Sequence, residues 1–210
     1  MKRAPQKQRS VDYKILHRIR GYGKGAVFVP TSFLDLGSRR AVDLVLHRLT
    51  KKEVIRRLAR GLYYYPKTHP THGPLAPSID NIAKALAGKD RLRLQPSGAY
   101  AANQLRLSEQ VPMRVVFLTD GPSRRLKVGR REIILKRTTP RNMAAAGRAS
   151  GLVIQALRHV GKANVSLDRI AHLHDLLTEK DRKQLLADLP LAPAWMYPFL
   201  RAVAGEETRA

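Results

Sequence analysis

The chain has 210 residues, 43% of them apolar, which suffices for a core in one or two domains. Forty Lys and Arg against sixteen Asp and Glu leave a formal charge of +24; such a surface repels itself unless a polyanion lies against it, and nucleic acid is the first expectation. The lack of cysteine excludes disulfides, thiolate zinc sites and cysteine nucleophiles, and no apolar run approaches the roughly 18 to 20 residues of a membrane span, so a soluble cytoplasmic protein without a membrane partner is expected.

The charge is graded along the chain, +13 over residues 1–70, +8 over 71–140 and +3 over 141–210, which points the N-terminal part at the polyanion. Residues 1–9 read as a basic flexible arm. Ser10 caps a first helix that carries Val11, Ile15, Leu16 and Ile19 until Gly21-Tyr22-Gly23 stops it. After an extended Ala26 to Val29 and Pro30, Thr31 or Ser32 caps a brief second helix from Ser32 to Leu36, ended by Gly37. Ser38 caps a third, in which Val42, Val45, Leu46 and Leu49 form one apolar stripe.

Arg40, Asp43, His47 and Thr50 lie opposite that stripe, with Arg39 at the first turn and Arg48 and Lys51 on the flank. Arginine can grip guanine O6 and N7, and aspartate can accept from cytosine N4, so this face suits a major groove. Val54 to Leu58 and Leu62 to Tyr65 then read as two strands of a hairpin whose tip is Ala59-Arg60-Gly61. Three helices and a basic hairpin make a winged helix-turn-helix over residues 1–70. Its candidate DNA-binding residues are Ser38, Arg39, Arg40, Asp43, His47, Arg48 and Lys51 on the helix, with Arg56, Arg57 and Arg60 on the wing. Arg40 and Asp43 are expected to read bases, and Lys51, Arg56, Arg57 and Arg60 to neutralise phosphates.

Thr68 to Pro77, with three prolines, a glycine and two histidines, reads as a linker. Beyond it, residues 71–140 are expected to form an α+β domain. Ser78 caps a helix with Ile79, Ile82, Ala83 and Leu86, ended by Gly88; a short strand from Arg91 to Leu94 and a helix from Ser97 to about Leu107 follow. Val115 to Leu118 is a buried-type strand, and Arg124 to Val128 with Arg131 to Arg137 form a hairpin across Gly129-Arg130. Arg124, Arg125, Arg130, Arg131 and Arg137, with Lys127 and Lys136, make a basic surface that could extend a DNA footprint, hold a toxin or RNA, or equally be a solvated face. Residues 141–210 read as a helical part packed on that domain: one helix from Arg141 to about Val160, then Leu167 to Leu177, Glu179 to Leu189 and Ala194 to Ala204, with Trp195 and Phe199 as core anchors. The overall expectation is an α+β fold.

Catalysis finds little support. Asp120 with Glu132 and Lys136 is faintly nuclease-like, but a metal-holding acid and lysine stand two residues apart on a strand, and these stand four apart. His69 with His72, and His172 with His174 and Asp175, have no second cluster at zinc-site spacing. No catalytic residue, cofactor or metal site is therefore expected. The alternatives to a DNA-binding repressor are an RNA-binding or ribosome-associated basic protein and, less favoured, a metal-dependent nuclease.

Gly25-Ala26-Val27-Phe28, Phe33-Leu34-Asp35-Leu36-Gly37 and the run from Ile55 to Pro66 resemble the N-terminal domain of AbiEi-type antitoxins of type IV toxin–antitoxin systems. The most specific piece is the wing turn, Arg57-Leu58-Ala59-Arg60-Gly61-Leu62-Tyr63; similarity continues from Pro74 to Asn142 and in the Trp195-Met196 tail. The resemblance implies a transcriptional autorepressor of its own bicistronic operon. It also implies an antagonist of a co-encoded nucleotidyltransferase-like toxin, AbiEii, acting without a stable complex. With the basic head, the expectation is a sequence-specific repressor that binds inverted or direct repeats in its own promoter, with a homodimer or cooperative binding on the DNA left open.

Overall fold

The structure, a computed structural model, describes residues 10–88 and 92–206. The expected arm at 1–9 and the start at Arg91 of the strand expected to run to Leu94 lie outside the described residues. The chain divides into two compact units, Met1–Arg91 and Leu92–Ala210, so the division falls some twenty residues after the expected boundary at 70.

In the first unit, the Ser10 side chain accepts from the Tyr13 amide to start α1 (Val11–Tyr22), and Gly23 at φ 81° ends it. Ser38 does the same for α2 (Arg39–Lys51) through the Ala41 amide. Ile15 and Ile19 of α1 meet Val42, Val45, Leu46 and Leu49 of α2, with Phe28, Phe33 and Ile55, in one core. The short helix expected from Ser32 to Leu36 is instead a 3-10 turn, Pro30–Phe33, because Pro30 already holds a helical φ and starts the turn two residues earlier.

The strands β1 (Val27–Phe28), β2 (Arg56–Ala59) and β3 (Leu62–Tyr64) form an antiparallel sheet in the order β1-β3-β2, with a bulge between Arg57 and Ala59. The stretch expected to be a linker holds a hairpin, β4 (Lys67–His69) and β5 (Gly73–Leu75), in which Thr68 faces Pro74. Proline is tolerated there because a two-stranded ribbon asks for hydrogen bonds on one side only. Ser78 caps α3 (Ile79–Ala87), which packs on β1 and so belongs to this unit.

The second unit is built on a four-stranded sheet, β6 (Leu94–Ser97), β7 (Arg114–Thr119), β8 (Arg124–Val128) and β9 (Arg131–Arg137), in the order β6-β7-β9-β8. Strands β7 and β9 pair in parallel and the other neighbours antiparallel. Between β6 and β7, α4 (Gly98–Gln104) stops short of the expected Leu107, before Arg106 at φ 56°. The helix expected from Arg141 to Val160 is broken into α5 (Pro140–Met143) and α6 (Ala149–Val160), with Gly147 at φ 81° between them.

Helix α6 packs on α4 and β6, which merges the expected helical part with the α+β layer. It joins α7 (Leu167–Leu176), α8 (Glu179–Ala187) and α9 (Tyr197–Ala204) in a core that includes Val153, Leu157, Leu173, Leu185, Met196, Leu200 and Val203. Trp195 and Phe199 are half-buried at its margin, in edge-on contact with each other, while Met196 and Leu200 take the interior places. The fold is α+β, and among the described residues no helix is long and apolar enough to cross a membrane.

Candidate nucleic-acid interface

Burial of Val42, Val45, Leu46 and Leu49 turns Arg40, Asp43, Leu44, His47, Arg48 and Lys51 outward on α2. Arg40, His47 and Lys51 are exposed, and their side chains form no hydrogen bond or ion pair with any described residue. Leu44, 54% exposed, stands between them, giving an outward stripe Arg40, Leu44, His47, Lys51 at helical spacing. The sequence reading passed over Leu44. Its signal was an apolar residue lying off the buried stripe, and such a group is the kind that meets a thymine methyl.

The remaining candidates on this helix are already engaged. Arg39 Nε donates to Asp43 Oδ2 at 2.9 Å, and Arg48 donates to Asp12 at 3.2 Å. Asp43 thus presents a carboxylate with one oxygen already bonded to Arg39, which departs from the free acceptor expected. Thr50 donates to the Leu46 carbonyl at 2.8 Å and is half-buried, so it does not belong to the presented face. The Ser38 hydroxyl is occupied as the cap. Ahead of the helix, the Arg18 guanidinium grips both Asp35 oxygens at 2.7 Å and the Ser32 carbonyl at 3.1 Å, tying α1 to the turn before α2. The hydrogen bond to Asp35 raises the Arg18 pKa above its ordinary value.

The hairpin leaves directly from the end of α2. Glu53, at φ 55°, makes the tight exit, and the Val54 and Ile55 amides both donate to the Leu49 carbonyl, at 3.0 and 3.4 Å. The tip between β2 and β3 is Arg60-Gly61, where Gly61 takes φ 71° without a side-chain penalty. Arg56, Arg57 and Arg60 are all exposed; Arg57 Nε donates to the Ala59 carbonyl at 3.2 Å, while the side chains of Arg56 and Arg60 bond to no described residue. One unit therefore offers a helix face with hydrogen-bonding and apolar groups together with a cationic hairpin tip.

A family model described as a family of unknown function (DUF6088) matches residues 14–185, most of the chain. The chain belongs to DUF6088. Among solved structures, this DUF6088 chain is similar to the crystal structure of the RV2827C protein from Mycobacterium tuberculosis, at 14% identity and a TM-score of 0.45, over 91% of this chain and 76% of that one. No curated protein matches it.

Asp120, Glu132, His172 and His174 of this DUF6088 chain are held in structural bonds. Asp120 accepts from the Arg93 amide at 3.0 Å and from Arg93 Nε at 2.9 Å, and these bonds hold its carboxyl below the usual aspartate range. Glu132 accepts from Arg114 Nε at 2.8 Å. His172 and His174 bond the carbonyls of Leu105 and Val203, and His69 stacks on His72. Among the described residues no three His, Asp or Glu side chains gather as a metal site would require.

Proposed function

We propose that this DUF6088 protein is a sequence-specific DNA-binding transcriptional repressor, non-enzymatic, whose first unit works as a winged helix-turn-helix. In this reading α1, the 3-10 turn and α2 are its three helical pieces and the β2–β3 hairpin is its wing. The observation that carries it is the outward stripe of α2, in which Arg40, His47 and Lys51 have no partner of their own and Leu44 is left in water. Free hydrogen-bonding groups beside an exposed apolar one suit base edges in a major groove, and the hairpin tip at Arg60 suits a phosphate backbone or the adjacent minor groove.

The resemblance to AbiEi-type antitoxins supports the further reading that the promoter bound is its own and that a co-encoded nucleotidyltransferase-like toxin is what it counters. A gel shift with the duplex upstream of its gene, an unrelated duplex and a stem-loop RNA tests the first part. Retention of the upstream duplex at concentrations at least roughly tenfold below those needed for the other two is expected, as specific binding exceeds non-specific binding by far more than that. Equal or tighter retention of the RNA would favour the alternative, an RNA-binding or ribosome-associated basic protein.

A further inference from the structure

The register of the second unit's sheet sorts its side chains by face. Directly opposed residues share a side, so Arg125, Ile134 and Val116 stand in one row and Lys127, Glu132 and Arg114 in the next. Lys136, two residues from Ile134, and Ser123, two from Arg125, lie on the same side. The opposite side carries Val115, Phe117, Ile133 and Leu135, all 2% exposed or less, and is core. At the β6 end, Gln95 and Ser97 share the face of Val116 and meet α6 through Gly151 and Gln155. At the β9–β8 end the face is open.

There it forms a hollow of about 490 Å3 lined by Arg114, Val116, Ser123, Arg125, Ile134 and Lys136. Its floor is aliphatic and its walls are cationic, with four cations on the face against a single acid. That acid shows how a carboxylate is received: Glu132 accepts from Arg114 at 2.8 Å and stands 3.9 Å from Arg125, while the two arginine side chains remain 66% and 72% exposed. Alongside runs β8, the edge strand, whose outer backbone groups pair with no other strand among the described residues.

We propose that this face docks an extended acidic segment of a partner protein, with aspartates or glutamates on Arg114, Arg125, Lys127 and Lys136 and an apolar side chain on Val116 and Ile134. Charge complementarity selects an acidic occupant. The floor selects a peptide over a nucleic acid. A phosphodiester backbone has no apolar group to bury there, and bases have no aromatic ring on this face to stack upon. The edge of β8 gives an extended segment backbone partners as well as side-chain ones. This inference does not depend on the DNA-binding reading of the first unit.

The test uses the full chain and two fluorescein-labelled eight-residue peptides, one alternating aspartate with leucine and one alternating aspartate with glycine, read by anisotropy. Arg125→Glu with Lys136→Glu should weaken the leucine-containing peptide at least tenfold, and Lys162→Glu with Lys180→Glu, the same charge change on the helices, less than twofold. Ile134→Thr should weaken the leucine-containing peptide and leave the glycine-containing one unchanged. In the unaltered protein, the leucine-containing peptide should shift the methyl resonances of Ile134 and Val116, a readout that needs no variant to fold. Equal weakening by both charge-reversed pairs, or unmoved methyl resonances, overturns the proposal. So does loss of unrelated duplex DNA, rather than peptide, on Arg125→Glu with Lys136→Glu. The upstream-duplex gel shift, run on the same variants, reports separately on the first unit.

Discussion

Arg40 and Arg60 carry the same charge, but in the proposed complex they meet different atoms and their removal should be distinguishable. Arg40 stands on the outward stripe of α2 with its guanidinium free, so truncating it removes a base contact worth about 1–3 kcal/mol at one position. Arg60 stands at the hairpin tip, so truncating it removes a phosphate contact, which is blind to sequence. Arg40→Ala should relax preference at a single base pair, while Arg60→Ala should weaken all duplexes alike and flatten the slope of log K against log salt by about one unit. Anisotropy titrations on a panel of single-base operator variants at several salt concentrations check both, and identical effects of the two changes would refute the division of labour. Helical period made Arg40, Asp43, His47, Arg48 and Lys51 legible as outward positions of α2, but it also placed half-buried Thr50 there and left out Leu44. What was not legible is which arginine neutralises Asp43, since Arg39 at i−4 and Arg40 at i−3 can both reach it and rotamers decide. The bond falls to Arg39, and this is what leaves Arg40 free.

At the scale of elements, two glycines test how tightly helices are placed. A Cβ on Gly151 of α6 would lie 2.3 Å from the Ala145 carbonyl oxygen and 2.7 Å from Gln95 Oε1, and the first of these is backbone that cannot swing away. Gly21, near the end of α1, has nothing within 4 Å of the same position. Gly151→Ala should therefore destabilise by about 1–3 kcal/mol through overpacking. Gly21→Ala should stabilise by up to about 1 kcal/mol through helix propensity. Urea unfolding gives both, and stabilisation by Gly151→Ala would mean that α6 does not approach the 145 turn so closely.

The same region marks where the sequence could be read and where it could not. Capping serines and apolar period located α1, α2, α3 and the β8–β9 hairpin within a residue or two, because those signals are local. The break between α5 and α6 was missed because alanines 144–146 favour a helix, while Gly147, which takes φ 81° there, is also tolerated inside helices. The β4–β5 ribbon was missed for a related reason: proline and glycine signal a turn equally well in a linker and in a hairpin.

For the whole molecule, the charge of +24 makes stability depend on what surrounds it. Like charges crowded by folding raise the free energy of the compact state, and a polyanion that binds the folded surface better than the unfolded chain lowers it again by mass action. The two units do not share the charge equally, +14 for residues 1–91 and +10 for 92–210, and the shorter one carries more. Micromolar duplex DNA of unrelated sequence should therefore raise the melting temperature by several degrees without changing ionic strength, and the gain should vanish near 0.5 M salt, where the Debye length is only about 4 Å. Hydrogen exchange locates the effect: the amides of α1 and α2 should gain protection on adding duplex, and those of α7 to α9 should not. A melting temperature indifferent to duplex would mean that duplex does not bind the folded chain better than the unfolded one, and would remove the support that the charge of +24 gives to the proposed function. A rise accompanied by protection of α7 to α9 alone would place the polyanion on the second unit and displace the first from the role proposed for it.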